Sequence, residues 1–152
     1  MEIRKFSESD GEGVKELILL ILEKEYPFDR KAYSDTDLDN IGSTYGGPRD
    51  TFFVIAKNHR IVGTTGIKED SKETALLRRI FVDSEERGKG YGSQLIKKAI
   101  VFCRDKGYQE IVFRATSKMI QAIELCKKNG FKEKDKLDLG GFFIYRFILK
   151  IT

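Results

Sequence analysis

Glu2 to Phe6 is short and alternates enough to predict a first strand. After the polar start Ser9-Asp10-Gly11-Glu12, the residues Val14, Leu17, Ile18, Ile21 and Leu22 recur at i, i+3, i+4, i+7 and i+8. That stripe predicts an amphipathic helix ending near Pro27. Residues 28–50 are polar, with room for a short helix around 35–45. Thr51-Phe52-Phe53-Val54-Ile55-Ala56 and Ile61 to Ile67 are rich in β-branched and aromatic residues and flank a polar turn at 57–60, which predicts a hairpin. Ala75 to Val82 follows as a strand. Leu95, Ile96, Ala99, Ile100 and Cys103 then fall at helical spacing in Ser93 to Cys103, and Gly107 closes that helix. Glu110 to Ala115 predicts a strand, Lys118 to Lys128 a helix ended by Asn129-Gly130, and Phe142 to Ile151 a closing strand after Gly140-Gly141. The order β-α-(α)-β-β-β-α-β-α-β describes one α/β domain over residues 1–152, a mixed sheet with helices packed on it.

Composition narrows the class. In 152 residues, 40% hydrophobic and with 11 Phe and 6 Tyr, there is enough apolar surface for a core, which excludes a disordered chain. The longest apolar run, Leu17 to Leu22, has six residues, against the ~18 that cross a membrane. Met1-Glu2-Ile3-Arg4-Lys5 carries no apolar segment behind a basic one, so no secretory signal is expected. Cys103 and Cys126 form no Cys-x-x-Cys pair, and reduced thiols fit a cytoplasmic address. His59 is the single histidine and sits in the polar 57–60 turn. One His and two distant Cys argue against a zinc site and against a Ser-His-Asp or Cys-His hydrolase. The net charge of +4 is modest and no aromatic-basic ribonucleoprotein motif is present, which sets nucleic-acid binding aside.

Charge is unevenly distributed. Residues 1–56 hold 12 acidic and 7 basic side chains, and residues 57–152 hold 12 acidic and 21 basic. In the basic part, the apolar Ile80-Phe81-Val82 runs into Asp83-Ser84-Glu85-Glu86-Arg87-Gly88-Lys89-Gly90-Tyr91-Gly92-Ser93, a glycine-rich loop that opens a helix. Helix N-termini present unpaired N–H groups and the positive end of the macrodipole, so they take anions. Glycines on alternate positions let a ligand approach the backbone, and Arg87 and Lys89 add charge beside it. A pyrophosphate is the natural occupant. A Walker loop fails because Gly90 follows Lys89, where Ser or Thr is required. The dinucleotide pattern is only nearly met by Gly88, Gly90 and Ser93, and Glu110, at the distance of its ribose-binding acid, would open its strand instead of ending it.

Arg87-Gly88-Lys89-Gly90-Tyr91-Gly92 resembles the Gln/Arg-x-x-Gly-x-Gly/Ala loop of the GNAT superfamily of N-acetyltransferases. Leu77 to Asp83 looks like that family's fourth strand. Ala122-Ile123-Glu124-Leu125-Cys126-Lys127-Lys128-Asn129-Gly130-Phe131 is similar to its second signature, Ala-Ile-x-Leu-Tyr-x-Lys-x-Gly-Phe. The likeness covers roughly residues 50–147 and, more loosely, the first helix and strand. It implies a mostly antiparallel sheet splayed between the fourth and fifth strands, with helices on both faces, and transfer of an acetyl group from acetyl-CoA to a primary amine without a metal.

By that resemblance, Phe81 and Val82 would offer backbone groups to the pantetheine amides, the N–H groups from Arg87 to Ser93 would hold the pyrophosphate, and a strand N–H near Ile80 would serve as the oxyanion donor. The family's proton-donating Tyr is replaced here by Cys126, with Tyr145 as the alternative donor and Glu73 as the candidate base. Met119 stands where many members place an Asn. Lys127 and Lys128 are within reach of the adenosine phosphates. The acceptor pocket would draw on Asp29, Asp35, Asp37, Asp39, Tyr33 and Tyr45, whose carboxylates predict a cationic amine. A homodimer is a further expectation. The replacement of Tyr by Cys126 also keeps open a non-catalytic acetyl-CoA sensor.

Overall fold

The computed structural model describes residues 1–27 and 36–152. Asp29, Tyr33 and Asp35 lie outside the described residues. Strand β1 (Glu2–Lys5) leads through a 3-10 turn into α1 (Gly11–Glu25), and a one-turn helix α2 (Ile41–Thr44) precedes β2 (Thr51–Lys57). Then come β3 (Arg60–Glu69), β4 (Thr74–Val82), α3 (Tyr91–Asp105), β5 (Glu110–Thr116), α4 (Ile120–Lys128), β6 (Lys132–Asp138) and β7 (Phe143–Lys150). The strands form one seven-stranded sheet in the order β1-β2-β3-β4-β5-β7-β6. Only β4 and β5 run parallel; the other pairs are antiparallel.

The apolar stripe of α1 is buried as its spacing predicts: Val14, Leu17, Ile18, Ile21 and Leu22 all enter the core. Its last turn closes with Tyr26 N–H donating to Leu22 O at 3.1 Å, one residue before Pro27. The β2–β3 hairpin turns on Asn58 and His59, both at positive φ (51° and 63°). That backbone matches the twist of two-residue hairpin loops, and Asn tolerates it better than most side chains.

Consecutive residues of β2 fix the layers. Phe52 packs on Tyr45 just after α2, at 5.0 Å between ring centroids, whereas Phe53 packs on Phe102 of α3 at 6.3 Å. Neighbours on a strand point to opposite faces, so α2 and α3 cover opposite faces of the sheet. On the α3 face, Phe113 of β5 packs on Phe147 of β7 and the Lys127 ammonium of α4 lies over Phe147, which puts α4 on the same side as α3.

One strand escaped the hydrophobic pattern. β6 reads Lys-Glu-Lys-Asp-Lys-Leu-Asp and every residue is exposed. It forms by hydrogen bonding to β7 at the edge of the sheet, and its charges are what an exposed edge needs to resist further pairing.

The β4–β5 ladder runs from Thr74↔Glu110 to Leu77↔Phe113 and stops, although β4 continues to Val82 and β5 to Thr116. The strands splay from that point. Within the splay β4 carries one extra residue against β3, because Thr64 pairs with Phe81 and Gly66 with Arg78. The extra residue leaves Arg79 at φ 54°. Thr64 Oγ1 donates to Arg79 O at 2.8 Å and Thr65 Oγ1 to Arg78 O at 3.3 Å, so β3 hydroxyls satisfy carbonyls displaced by the bulge.

Candidate active site

The splay opens two recesses that meet at Ile80 and Phe81. The smaller, about 260 Å³, is bounded by Ile80 to Val82, the loop from Glu86 to Ser93, Tyr26, and Gln121, Ala122, Leu125 and Lys128 of α4. Gly88 and Gly90 have φ of 80° and 83°, and Gly90 is the residue that starts α3. A side chain at either position would be strained, so glycine is what lets the chain turn its N–H groups toward the recess.

The charged side chains of the loop are spent on holding it. Arg87 forms a two-pronged pair with Glu25 at the end of α1, at 2.7 and 2.8 Å, and its Nε donates to Val82 O at 3.2 Å. Lys89 and Lys57 both donate to the buried Glu86, each at 2.7 Å. The Lys57 and Lys89 ammonium groups hold the Glu86 carboxyl far below its ordinary range, at about 2. Ser93 Oγ accepts from Asn129 Nδ2 at 3.1 Å, tying the start of α3 to the end of α4. Arg87 and Lys89 therefore bring less free charge to an anion than the sequence suggests. Lys128 does line the recess, while Lys127 lies over the Phe147 ring.

The larger cleft, about 820 Å³, opens on the α2 face. Leu76, Arg78, Val112, Arg114, Ile144 and Arg146 alternate along β4, β5 and β7 to face it, and Asp135, Lys136, Leu137 and Leu139 of the β6–β7 hairpin form one wall. Met119, buried at the start of α4, closes the inner end. Beside it, the bulged Arg79 is buried with its guanidinium on Asp37, Nε to Oδ2 at 3.0 Å, and Tyr45 Oη donates to the same oxygen at 2.8 Å. Burial works against the Asp37 charge, yet the Arg79 hydrogen bonds and charge outweigh it and keep the carboxyl below its ordinary range. Burial likewise pushes the Tyr45 hydroxyl up.

Three candidate catalytic residues stand elsewhere. Cys126 is completely buried on α4 and lines neither recess, and burial pushes its thiol up to about 12. Its position on α4, which reads as that of a proton donor, faces the core instead. Glu73 is exposed at the closed end of β4, its carbonyl accepting from Gln109 and Glu110 N–H at 2.8 and 3.1 Å. The β4 lining of the cleft begins at Leu76, and Glu73 is not part of it. Tyr145 alternates with the cleft-facing Ile144 and Arg146 and packs on the core of the opposite face.

The carboxylates expected at an acceptor pocket are engaged where they are described. Of the described candidates, Asp37 is bound by Arg79 and Asp39 by Lys15 at 2.5 Å. The cleft itself presents Arg78, Arg79, Arg114, Lys136 and Arg146 against Asp135. Among the described residues no group of three or more His, Cys, Asp and Glu could hold a metal ion, and no helix is long and apolar enough to cross a membrane.

A loop for an anion, a splayed strand pair and a second cleft joined to it through the gap form one arrangement, and the family model for the acetyltransferase (GNAT) family matches residues 16–131. The chain belongs to the GNAT acetyltransferase family. Human N-acetyltransferase 8 is 30% identical over 104 residues, 64% of this chain and 46% of that protein. N-acetylaspartate synthetase of Xenopus tropicalis is 30% identical over 123 residues, 75% of this chain and 45% of that one. The chain spans about half the length of the curated relatives it matches. A GNAT acetyltransferase from Staphylococcus aureus Mu50 superposes with a TM-score of 0.80 at 29% identity, covering 96% of this chain and 98% of that one. The aminoglycoside 6'-N-acetyltransferase solved with coenzyme A shares the fold at a TM-score of 0.79 and 14% identity, covering 100% and 98%.

Proposed function

We propose that this chain is an acetyl-CoA-dependent N-acetyltransferase acting on a primary amine. The observation that carries the reading is the junction at Ile80 and Phe81, where the loop recess and the α2-face cleft meet. Acetyl-CoA enters with its pyrophosphate on the N–H groups between Arg87 and Ser93, near Lys128, and its pantetheine between β4 and β5 along Phe81 and Val82, beside Met119. The thioester then lies at the mouth of the cleft that holds the amine. A non-catalytic sensor needs only the first recess, and the second supports transfer.

The neutral amine lends its nitrogen lone pair to the thioester carbonyl carbon. The C–S bond of the resulting tetrahedral species breaks, CoA leaves as a thiolate, and the nitrogen gives its extra proton to water. The thiolate takes a proton from solvent, since Cys126 and Tyr145 are turned away. The strand N–H at Ile80, just past the Arg79 bulge, is the oxyanion donor, a contribution of ~3–4 kcal/mol in other acyl transfers. The buried, reduced Cys103 and Cys126 support a cytoplasmic setting.

Calorimetric titration with acetyl-CoA, with NAD and ATP as controls, tests the donor half. One-to-one micromolar binding of acetyl-CoA alone is expected, followed by amine-dependent release of CoA thiol; absence of binding overturns the reading. The N-acetylaspartate synthetase relative and the aminoglycoside acetyltransferase neighbour are named for acceptors of opposite charge, so membership alone leaves the acceptor open.

A further inference from the structure

We infer that the cleft on the α2 face selects acceptors whose reacting amine stands beside a carboxylate and an apolar body, as in apolar α-amino acids, with Arg114 and Arg78 as the carboxylate-binding residues. The inference rests on the acetyl-transfer reading and names the substrate class for it.

Arg114 and Arg146 are direct partners in the β5–β7 ladder and both side chains face the cleft. Like charges directly opposite on a sheet are destabilising. Arg146 is relieved by Asp135, at 2.8 and 2.6 Å from its Nε and Nη2. Arg114 is not relieved: its side chain is exposed and, among the described residues, makes no hydrogen bond or ion pair. Across the splay, Arg78 of β4 is half-buried with its guanidinium 5.9 Å from the centre of the Tyr45 ring; its charge helps hold Asp37 ionised, but among the described residues it forms no direct ion pair. Two guanidiniums with no direct ion pair among the described residues thus line one cleft from its two sides. The planar fork of Arg matches a carboxylate two oxygens at a time, which favours an anion of that shape over a chloride or a water cluster.

The rest of the lining completes the specificity. Leu76, Val112, Leu137, Leu139 and Ile144 offer an apolar surface beside the arginines. Polycations are repelled by the excess positive charge. That same excess favours the uncharged form of the acceptor's amine, since a nearby like charge lowers the pKa of an ammonium. Among the described residues the cleft offers no free carboxylate base, and its charge can still hold the nucleophile deprotonated.

The test compares phenylalanine with phenethylamine, its counterpart lacking the carboxylate, and with spermidine, by CoA release under saturating acetyl-CoA. Phenylalanine is expected to exceed both at least tenfold in kcat/KM. Arg114→Ala is expected to collapse the phenylalanine-to-phenethylamine ratio at least tenfold, through KM, with the acetyl-CoA Kd unchanged. Arg114→Lys, which keeps the charge and loses the fork, falls between. Equal use of the two amines, a preference for spermidine, or a variant that weakens acetyl-CoA binding instead of the ratio overturns the inference; the last outcome assigns Arg114 to CoA. If wild-type protein fails to bind acetyl-CoA, the acetyl-transfer reading falls. The carboxylate site is then judged by equilibrium dialysis of phenylalanine against wild type and Arg114→Ala, where equal retention overturns it.

Discussion

The two recesses that meet at Ile80 are made of different material. The loop recess is built around a glycine-turned loop, and the charged side chains that hold this loop are tied up in pairs, Arg87 on Glu25 and Lys57 and Lys89 on Glu86. The cleft on the α2 face is lined by side chains, and two of its guanidiniums form no direct ion pair among the described residues. A recess of N–H groups suits a ligand part that never varies. A recess of side chains projecting from a fixed sheet can be changed one residue at a time. The contrast explains how one fold keeps a common donor while its acceptors differ.

Variants that strike one side and spare the other sharpen the contrast. The largest effect is expected from Asp37→Ala, which removes the carboxylate from the buried Arg79 guanidinium beside the cleft. Removing one partner of a buried pair costs ~3–5 kcal/mol, or roughly 10 °C in Tm for a domain this size. A melting curve within a few degrees of wild type would show that Arg79 relaxes to solvent and that the bulge does not depend on the pair.

Next is Gly90→Val. A β-branched residue at φ 83° adds strain of about 1–2 kcal/mol. It is expected to raise the acetyl-CoA Kd about tenfold, the equivalent of 1.4 kcal/mol, while leaving the acceptor preference alone. A changed preference with unchanged Kd would break the division between the two recesses.

Cys126→Ala is expected to leave turnover intact and to lower stability by about 1 kcal/mol, the order of a small cavity in a core. Burial pushes both Cys103 and Cys126 up to about 12. At pH 8 only roughly one thiol in 10⁴ is then a thiolate. The native protein should ignore thiol reagents that label both cysteines after denaturation. Rapid native labelling of Cys126 with loss of activity would return it to the catalytic machinery.

The smallest effect concerns acid. Glu86 titrates at about 2 in the fold against an ordinary 4.5. Its carboxylate is favoured by folding, so the stabilisation is complete above about pH 4.5 and is lost as pH falls toward about 2. Tm measured from pH 6 to pH 2.5 should fall less steeply for Glu86→Gln than for wild type; parallel curves would show that the lysine pair adds nothing.

Much of the glycine loop was legible in the chain, because a turn that needs glycine leaves its spacing in the sequence. Gly88, Gly90 and Gly92 lie on alternate positions, and the apolar β4 run leads straight into them. The α1 stripe was equally plain, its five apolar residues being the five it buries. β6 was not legible, since a strand with every side chain exposed carries no hydrophobic alternation. The acceptor side was misread for a related reason. Arg78, Arg114 and Arg146 are scattered over 69 positions and meet only because β4, β5 and β7 are neighbours. The carboxylates seen in the sequence were assigned to an amine, and the fold shows Asp37 and Asp39 already bound to Arg79 and Lys15. Cys126 was placed by its signature, whose spacing fixes a position on a helix but not which way that helix is turned.

The tethers on the phosphate loop also bear on time. Glu25, Glu86 and Val82 O hold Arg87 and Lys89 before any ligand arrives. Ordering a loop on binding slows association and adds a concentration-independent step, and a loop already held has no such step to take. Stopped-flow traces of acetyl-CoA binding should be single exponentials whose rate rises linearly with concentration, with no plateau. Cutting the Arg87 tether with Glu25→Ala should introduce one, so the last carboxylate of the first helix would set how quickly a cofactor can be captured at a loop four elements later.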